Sequence, residues 1–391
     1  MIRFKKFLPL LLAILAFHLF AEAVPAPVAQ ALKLSEQASA KRFPNADSVL
    51  LYDEQHVVYQ ADGTAVTTDD YFVKVLTEAG RRAMGTQSFY FNTTYEEFKL
   101  ELCDVLKPDG RTVRLDVAKN SKIAVSPGQM GSNIYDPANK IMTVTIPELE
   151  VGDIIRLRAV EKEIKPRVAG VWCGLYLLQS DSPVLEYRIT IDGPADRPLK
   201  SIAVKDPVGG SVKFSEEKKD GRILYSWVAT DVPQVIPEPD MPELYTCVQR
   251  LAVSTAANWN EISQWYYALC RPRRAAVTPE IKAKGGELTK NAKTPEQKVM
   301  ALFQFVSQQI RYMGITAEAE APGYEPHDVS MTFSQRYGVC RDKAALLVSM
   351  LELAGFKAYP VLFMAGPPKD DEVPNNYFNH AVVAVELAPG K

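Results

Sequence analysis

The chain has 391 residues, 47% apolar and 24% charged, with a formal net charge of −2. That length suits two domains, the composition is globular, and the near-neutral charge gives no reason to expect nucleic acid or an anionic membrane surface as partner. The five cysteines contain no Cys-x-x-Cys pair, so no spacing resembles a metal site.

Arg3, Lys5 and Lys6 make a basic opening, Phe7 to Phe20 is almost wholly apolar, and Ala21-Glu22-Ala23 has a small-x-small pattern. This is the form of a secretory signal peptide. Residues 1–23 are therefore expected to be cleaved after Ala23, leaving a periplasmic or secreted protein with no membrane attachment. A membrane anchor fits less well, because a span needs about 20 apolar residues and Pro9 and His18 interrupt this run. Export permits disulfides. For Cys103, Cys173, Cys247 and Cys270 the sequence leaves pairing and simple burial both open.

Residues 24–45, rich in Ala and Gln, read as a loose helical leader. From residue 46 to 232 the pattern is β. Val49 to Tyr52 and Val57 to Tyr59 precede an Ala61-Asp62-Gly63 turn, and Tyr71 to Leu76 follows. Phe98 to Val105 alternates as a half-buried strand does and runs into the Pro108-Asp109-Gly110 turn. Further strands are expected at 153–160, 185–191 and 223–227. Many antiparallel strands with short turns predict a β-sandwich-like domain.

Residues 233–292 read as a connector. Pro233, Pro237, Pro239 and Pro242 forbid regular structure at its start, and Trp259 to Arg271 then has helical spacing. A last domain, 293–391, opens with Thr294-Pro295-Glu296-Gln297: a threonine cap, a proline at the first helical position and a glutamine three after the cap. Val299, Leu302, Phe303, Val306 and Ile310 recur at helical spacing behind it.

The most informative stretch is Tyr337-Gly338-Val339-Cys340-Arg341-Asp342-Lys343. The glycine suggests a tight turn, and the apolar residues after Cys340 predict a buried helix ending at Gly355. A cysteine at a helix N-terminus sits in a positive field that favours its thiolate, and the free N–H groups there can hold an oxyanion. A thiolate needs a base. His380 opens the apolar run Ala381 to Val385, and another strand-like run, Tyr359 to Met364, lies between it and the helix. That order places Cys340 and His380 at one end of a small sheet packed on the helix. His327, in a polar turn before Asp328, is the weaker candidate base. Tyr312 is a weak candidate for a second oxyanion donor. Asp342 reads as structural and Lys343 as solvated or ion-paired.

Ile310-Arg311-Tyr312, the stretch around Cys340 and Asn379-His380-Ala381 together resemble the bacterial transglutaminase-like domains, papain-like Cys-His-Asp enzymes. The closest likeness is to those joined to an N-terminal domain of unknown function 3857, which Pro147 to Asp153 also resembles. The resemblance implies an α+β fold and a cysteine enzyme acting on peptide or protein amide bonds by hydrolysis or acyl transfer, with Cys340 as nucleophile and His380 as base. The third member would be an Asp on the strand after His380. No Asp or Asn follows His380, so the resemblance implies a domain that is incomplete here. If an acid within the chain orients His380, Asp328 and Asp342 are the first to consider. No metal or organic cofactor is implied. The alternative is an exported binding or scaffold protein that keeps the fold without turnover.

Overall fold

The computed structural model describes residues 26–315, 323–366, 369–388 and 390; the expected signal peptide lies outside them. The N-terminal β domain is built on a mixed sheet of eight strands. From edge to edge these are Val212–Lys219, Arg222–Val232, Val184–Pro194, Ser48–Tyr59, Ala65–Val75, Ile154–Glu163, Glu96–Leu106 and Thr112–Arg114. Expected strands at 49–52 and 57–59 are one continuous strand. One pair departs from the antiparallel expectation: Ser48–Tyr59 runs parallel to Val184–Pro194, with Leu50 opposite Val184. The two are not consecutive in the chain, so the residues between them supply the long crossover that a parallel pair needs.

Two three-stranded sheets contribute to the cores on one face of the large sheet. The first contains Cys173–Leu177, Ser201–Lys205 and Arg250–Ser254. Its Leu251 and Val253 meet Tyr59, Ile189, Ile191 and Trp227 of the large sheet in one buried core. The second contains Thr86–Asn92, Ser121–Val125 and Asn139–Thr145, and Met142 and Val144 meet Leu100, Val105 and Leu157 in another. The opposite face takes the helix Ala26–Ser35, whose Ala31 and Leu34 lie against Leu51, Phe72 and Leu185.

Residues 233–243 carry no regular structure, but the following stretch is more ordered than a connector. It supplies the strand Arg250–Ser254 and the helices Trp259–Arg274 and Pro279–Thr289. The helix Pro295–Gln309 starts as its sequence predicts: the Thr294 side chain accepts from Gln297 N at 3.3 Å, and Pro295 takes the first helical position. Its Leu302, Phe305 and Val306 share a core with Ile281 and with Leu346, Leu347 and Met350 of the central helix Cys340–Leu353. Gly355, with φ of 89°, follows that helix's end. The strands Lys357–Phe363 and His380–Glu386 pair antiparallel, with Phe363 opposite His380, and pack on the same helix.

The start of the central helix is held by one buried carboxylate. Asp342 is 2% exposed. It accepts from Val339 N at 2.9 Å, His327 N at 2.9 Å and His327 Nδ1 at 3.0 Å. Gly338 does not serve as a left-handed turn; it lies in the two-residue strand Tyr337–Gly338, paired with Arg311–Tyr312. The glycine is needed for closeness. A Cβ there would stand 2.7 Å from Asp342 Cβ and 3.2 Å from Thr332 Cγ2. Lys343 is half-buried and forms no ion pair among the described residues; its Nζ donates to Ser307 O at 3.2 Å and Ile310 O at 2.7 Å. It thereby satisfies carbonyls at the end of the helix Pro295–Gln309.

Two predictions follow from this packing. Asp53 and Asp69 lie next to one another on neighbouring strands of the large sheet. Burial pushes both carboxyls up: Asp53 well above the usual range, with the Asp69 charge adding to it, and Asp69 to about 6. Well below about pH 4 both are protonated whether the chain is folded or not. Between there and about pH 6 the unfolded chain releases protons that the folded chain keeps, so their contribution to stability falls as pH rises. For Asp69 the change is at most about 3 kcal/mol. Urea-unfolding midpoints measured from pH 4 to 7 should fall less steeply for Asp69→Asn than for the native chain, and an identical slope would refute the assignment. Separately, Gly338→Ala should cost about 1–3 kcal/mol through overpacking. It should also slow alkylation of Cys340, since Asp342 cannot stay where it is; unchanged stability and alkylation would show that the contact has room to give.

Candidate active site

Cys340 is the first residue of its helix and is half-buried. His380 is the first residue of the strand His380–Glu386, its ring meeting the Phe363 ring edge-on with centroids 5.4 Å apart. Both side chains line one cavity of about 190 Å³. Tyr312 is there too. Burial pushes its phenol up to about 12 and the Cys340 thiol adds to that rise, while the Cys340 N–H pulls the other way. Hydroxyl, thiol and backbone N–H of these two residues therefore lie together. Tyr266 also stands near: its phenol is pushed up first by burial and then by Cys270 and Cys340.

Burial pushes the thiols of Cys103 and Cys270 up to about 11 and that of Cys173 to about 12, holding them protonated. Cys247 is exposed and donates to Leu244 O at 3.3 Å. All five cysteines are unpaired.

His327 lines the cavity as well, but its partner is Asp342. Burial raises the Asp342 carboxyl, yet the His327 ring N–H, the Arg341 charge and the His327 backbone N–H outweigh it, leaving the group below its ordinary value. Neither acid weighed as an orienter of His380 plays that part. Asp342 is engaged by His327, and Asp328 pairs with Arg273 at 3.2 Å. The His327–Asp342 pair was only half visible in the sequence, which placed His327 in a polar turn and gave Asp342 to the helix.

Two further lining residues, Ile134 and Asp136, come from the N-terminal β domain, and nothing in their local sequence suggested it. The β domain also holds the segment leading into His380. Cys173 Sγ donates to Asn376 Oδ1 at 3.1 Å, Lys205 pairs with Glu372, and Trp259 Nε1 donates to Asp370 O at 2.8 Å from the adjoining helix. Tyr324 donates its hydroxyl to Asn376 O as well.

Comparison with known proteins agrees with this architecture. A crystal structure from Parabacteroides distasonis, named as a putative protease, superposes with a TM-score of 0.71 at 20% identity, covering 90% of this chain and 66% of that one. At that identity the likeness speaks for the fold alone, and the chain spans about two thirds of that protein's length. An M1 zinc metallopeptidase from Deinococcus radiodurans (TM-score 0.27, 13% identity, 54% of this chain and 42% of that one) and aminopeptidase A from Legionella pneumophila (0.29, 9%, 55% and 22%) are too distant to bear on the argument. No curated protein matches. Residues 61–236 match the model of a domain of unknown function with solved structures, DUF3857, and residues 282–391 match that of the transglutaminase-like superfamily. The chain thus joins a DUF3857 domain to a domain of the transglutaminase-like superfamily.

Proposed function

We propose that the protein is an exported cysteine enzyme that opens amide bonds of peptides or proteins, with Cys340 as nucleophile and His380 as its base. The observation that carries this is the shared cavity, which has a thiol at a helix N-terminus and an imidazole at a strand start on its wall. The thiolate attacks the amide carbonyl, and the oxygen that becomes negative is received by the Cys340 N–H and the Tyr312 hydroxyl. His380 gives its proton to the leaving amine. The thioester is then opened by water or by a second amine, from which His380 takes the proton. Water gives hydrolysis and an amine gives acyl transfer. Export rests on the form of residues 1–23. Among the described residues no helix is long and apolar enough to cross a membrane.

One observation favours a second reading, binding without turnover. Among the described residues no carboxylate is hydrogen-bonded to the His380 ring, and in a triad enzyme loss of the orienting acid alone costs about 10⁴-fold. Turnover of amides by this chain is accordingly expected to be slow, and esters, whose leaving group needs less help from a proton donor, should react faster.

The test compares the native chain with Cys340→Ala and His380→Ala on fluorogenic peptide amides and on activated esters. Cys340→Ala should abolish turnover, and His380→Ala should lower it by about 10²–10⁴-fold. His380→Ala should also slow iodoacetamide labelling of Cys340 at pH 6 to 7, followed in a Cys247→Ser background so that the exposed thiol does not interfere. Turnover that survives Cys340→Ala would overturn the enzyme reading. A reactive Cys340 with no turnover of either substrate class would leave the binding reading standing.

A further inference from the structure

The β domain reaches the cleft through a short segment after the turn of helix Gln129–Ser132. Asn133 adopts the left-handed conformation, φ 54°, which asparagine tolerates better than most residues. Its carbonyl accepts from Gly314 N at 2.9 Å, and Tyr135 N donates to Gly314 O at 2.7 Å. Ile134 and Gly314 thus form a parallel bridge across the domain boundary. A Cβ on Gly314 would stand 2.8 Å from Val339 Cγ1 and 3.5 Å from Ile134 Cγ2. Ile134, Gly314 and Val339 are therefore stacked in contact, and the next residue is Cys340.

Asp136 follows on the same segment and lines the same cavity at only 4% exposure. Its carboxylate accepts from Asn92 Nδ2 at 3.0 Å and from Ala138 N at 2.9 Å, and its own N–H donates to Gln129 Oε1. Two neutral donors fill only part of what a carboxylate can accept, roughly four positions. Among the described residues no lysine, arginine or histidine forms an ion pair with it. Of the wall's other charges, His327 is held by Asp342, while Arg341 acts on the same carboxylate without an ion pair among the described residues, its Nε unpartnered. A buried charge without a counter-charge is costly, and here a cation could be supplied by whatever enters the cavity.

We propose that the DUF3857 domain is a working wall of the Cys340 cleft, and that Asp136 selects substrates carrying an ammonium group beside the amide presented to Cys340. The inference rests on the reading of Cys340 as the nucleophile for its meaning in catalysis. Its test needs only that the thiol be alkylated, so it can fail or succeed apart from turnover.

The probes are three chloroacetamides of matched length ending in an ammonium, a hydroxyl or a carboxylate. Their rates of reaction with Cys340 are measured by mass mapping in the Cys247→Ser chain and divided by their rates with N-acetylcysteine. The expected order is ammonium, hydroxyl, carboxylate, with about tenfold between the first two at low salt. Asp136→Asn should bring the normalised rates of the ammonium and hydroxyl reagents level, and Ile134→Ala should keep the ammonium preference. Equal normalised rates in the native wall, or a preference that survives Asp136→Asn, would overturn the proposal. If Asp136→Asn does not fold, the order of the three reagents on the native wall decides alone.

Discussion

An ionised carboxylate buried at a helix start must be hydrogen-bonded or it will not stay ionised. Asp342 meets that requirement with three N–H donors, and meeting it fixes three things together. The Val339 N–H fixes where the helix begins, the His327 backbone and ring fix the preceding loop, and Gly338 is confined because the aspartate leaves no space for a side chain. The position of Cys340 follows from all three.

The same constraint explains why this part of the fold was legible. A glycine, a cysteine and an acid at set spacing before an apolar run leave few local solutions, and the helix Cys340–Leu353, its end before Gly355 and the strand opening at His380 all read correctly. The glycine's purpose did not: sequence suggests turning freedom, whereas the structure shows steric closeness. Long strands with one buried face, such as Arg222–Val232, were also legible because their burial alternates. The strand Val212–Lys219 was not, since it is almost wholly exposed and its composition is that of a solvated loop. Ser121–Val125 is similar. Lys343 misled for another reason: its partners are carbonyls of a different helix, which carry no sequence signature.

The wall supplied by Ile134 and Asp136 could not be read at all. It depends on a backbone bridge to Gly314, far away in the chain, and on contacts that exist only once both domains are folded. The β domain touches the cleft twice, through that bridge and through its hold on Asn376 and Glu372 ahead of His380. Cys340 and His380 are thus both anchored against the same neighbouring domain.

The parallel pairing of Ser48–Tyr59 with Val184–Pro194 bears on how the chain is made. The first strand of the large sheet is central in it, yet one of its two neighbours is far downstream. At synthesis rates of roughly 5–20 residues per second, that neighbour arrives on the order of ten seconds later. The local hairpin with Ala65–Val75 can form at once, leaving an apolar strand with one open edge for the whole interval. Newly made chains are therefore most prone to associate with one another early in synthesis, and a chaperone bound during that interval should raise the yield of folded protein more than any change near Cys340.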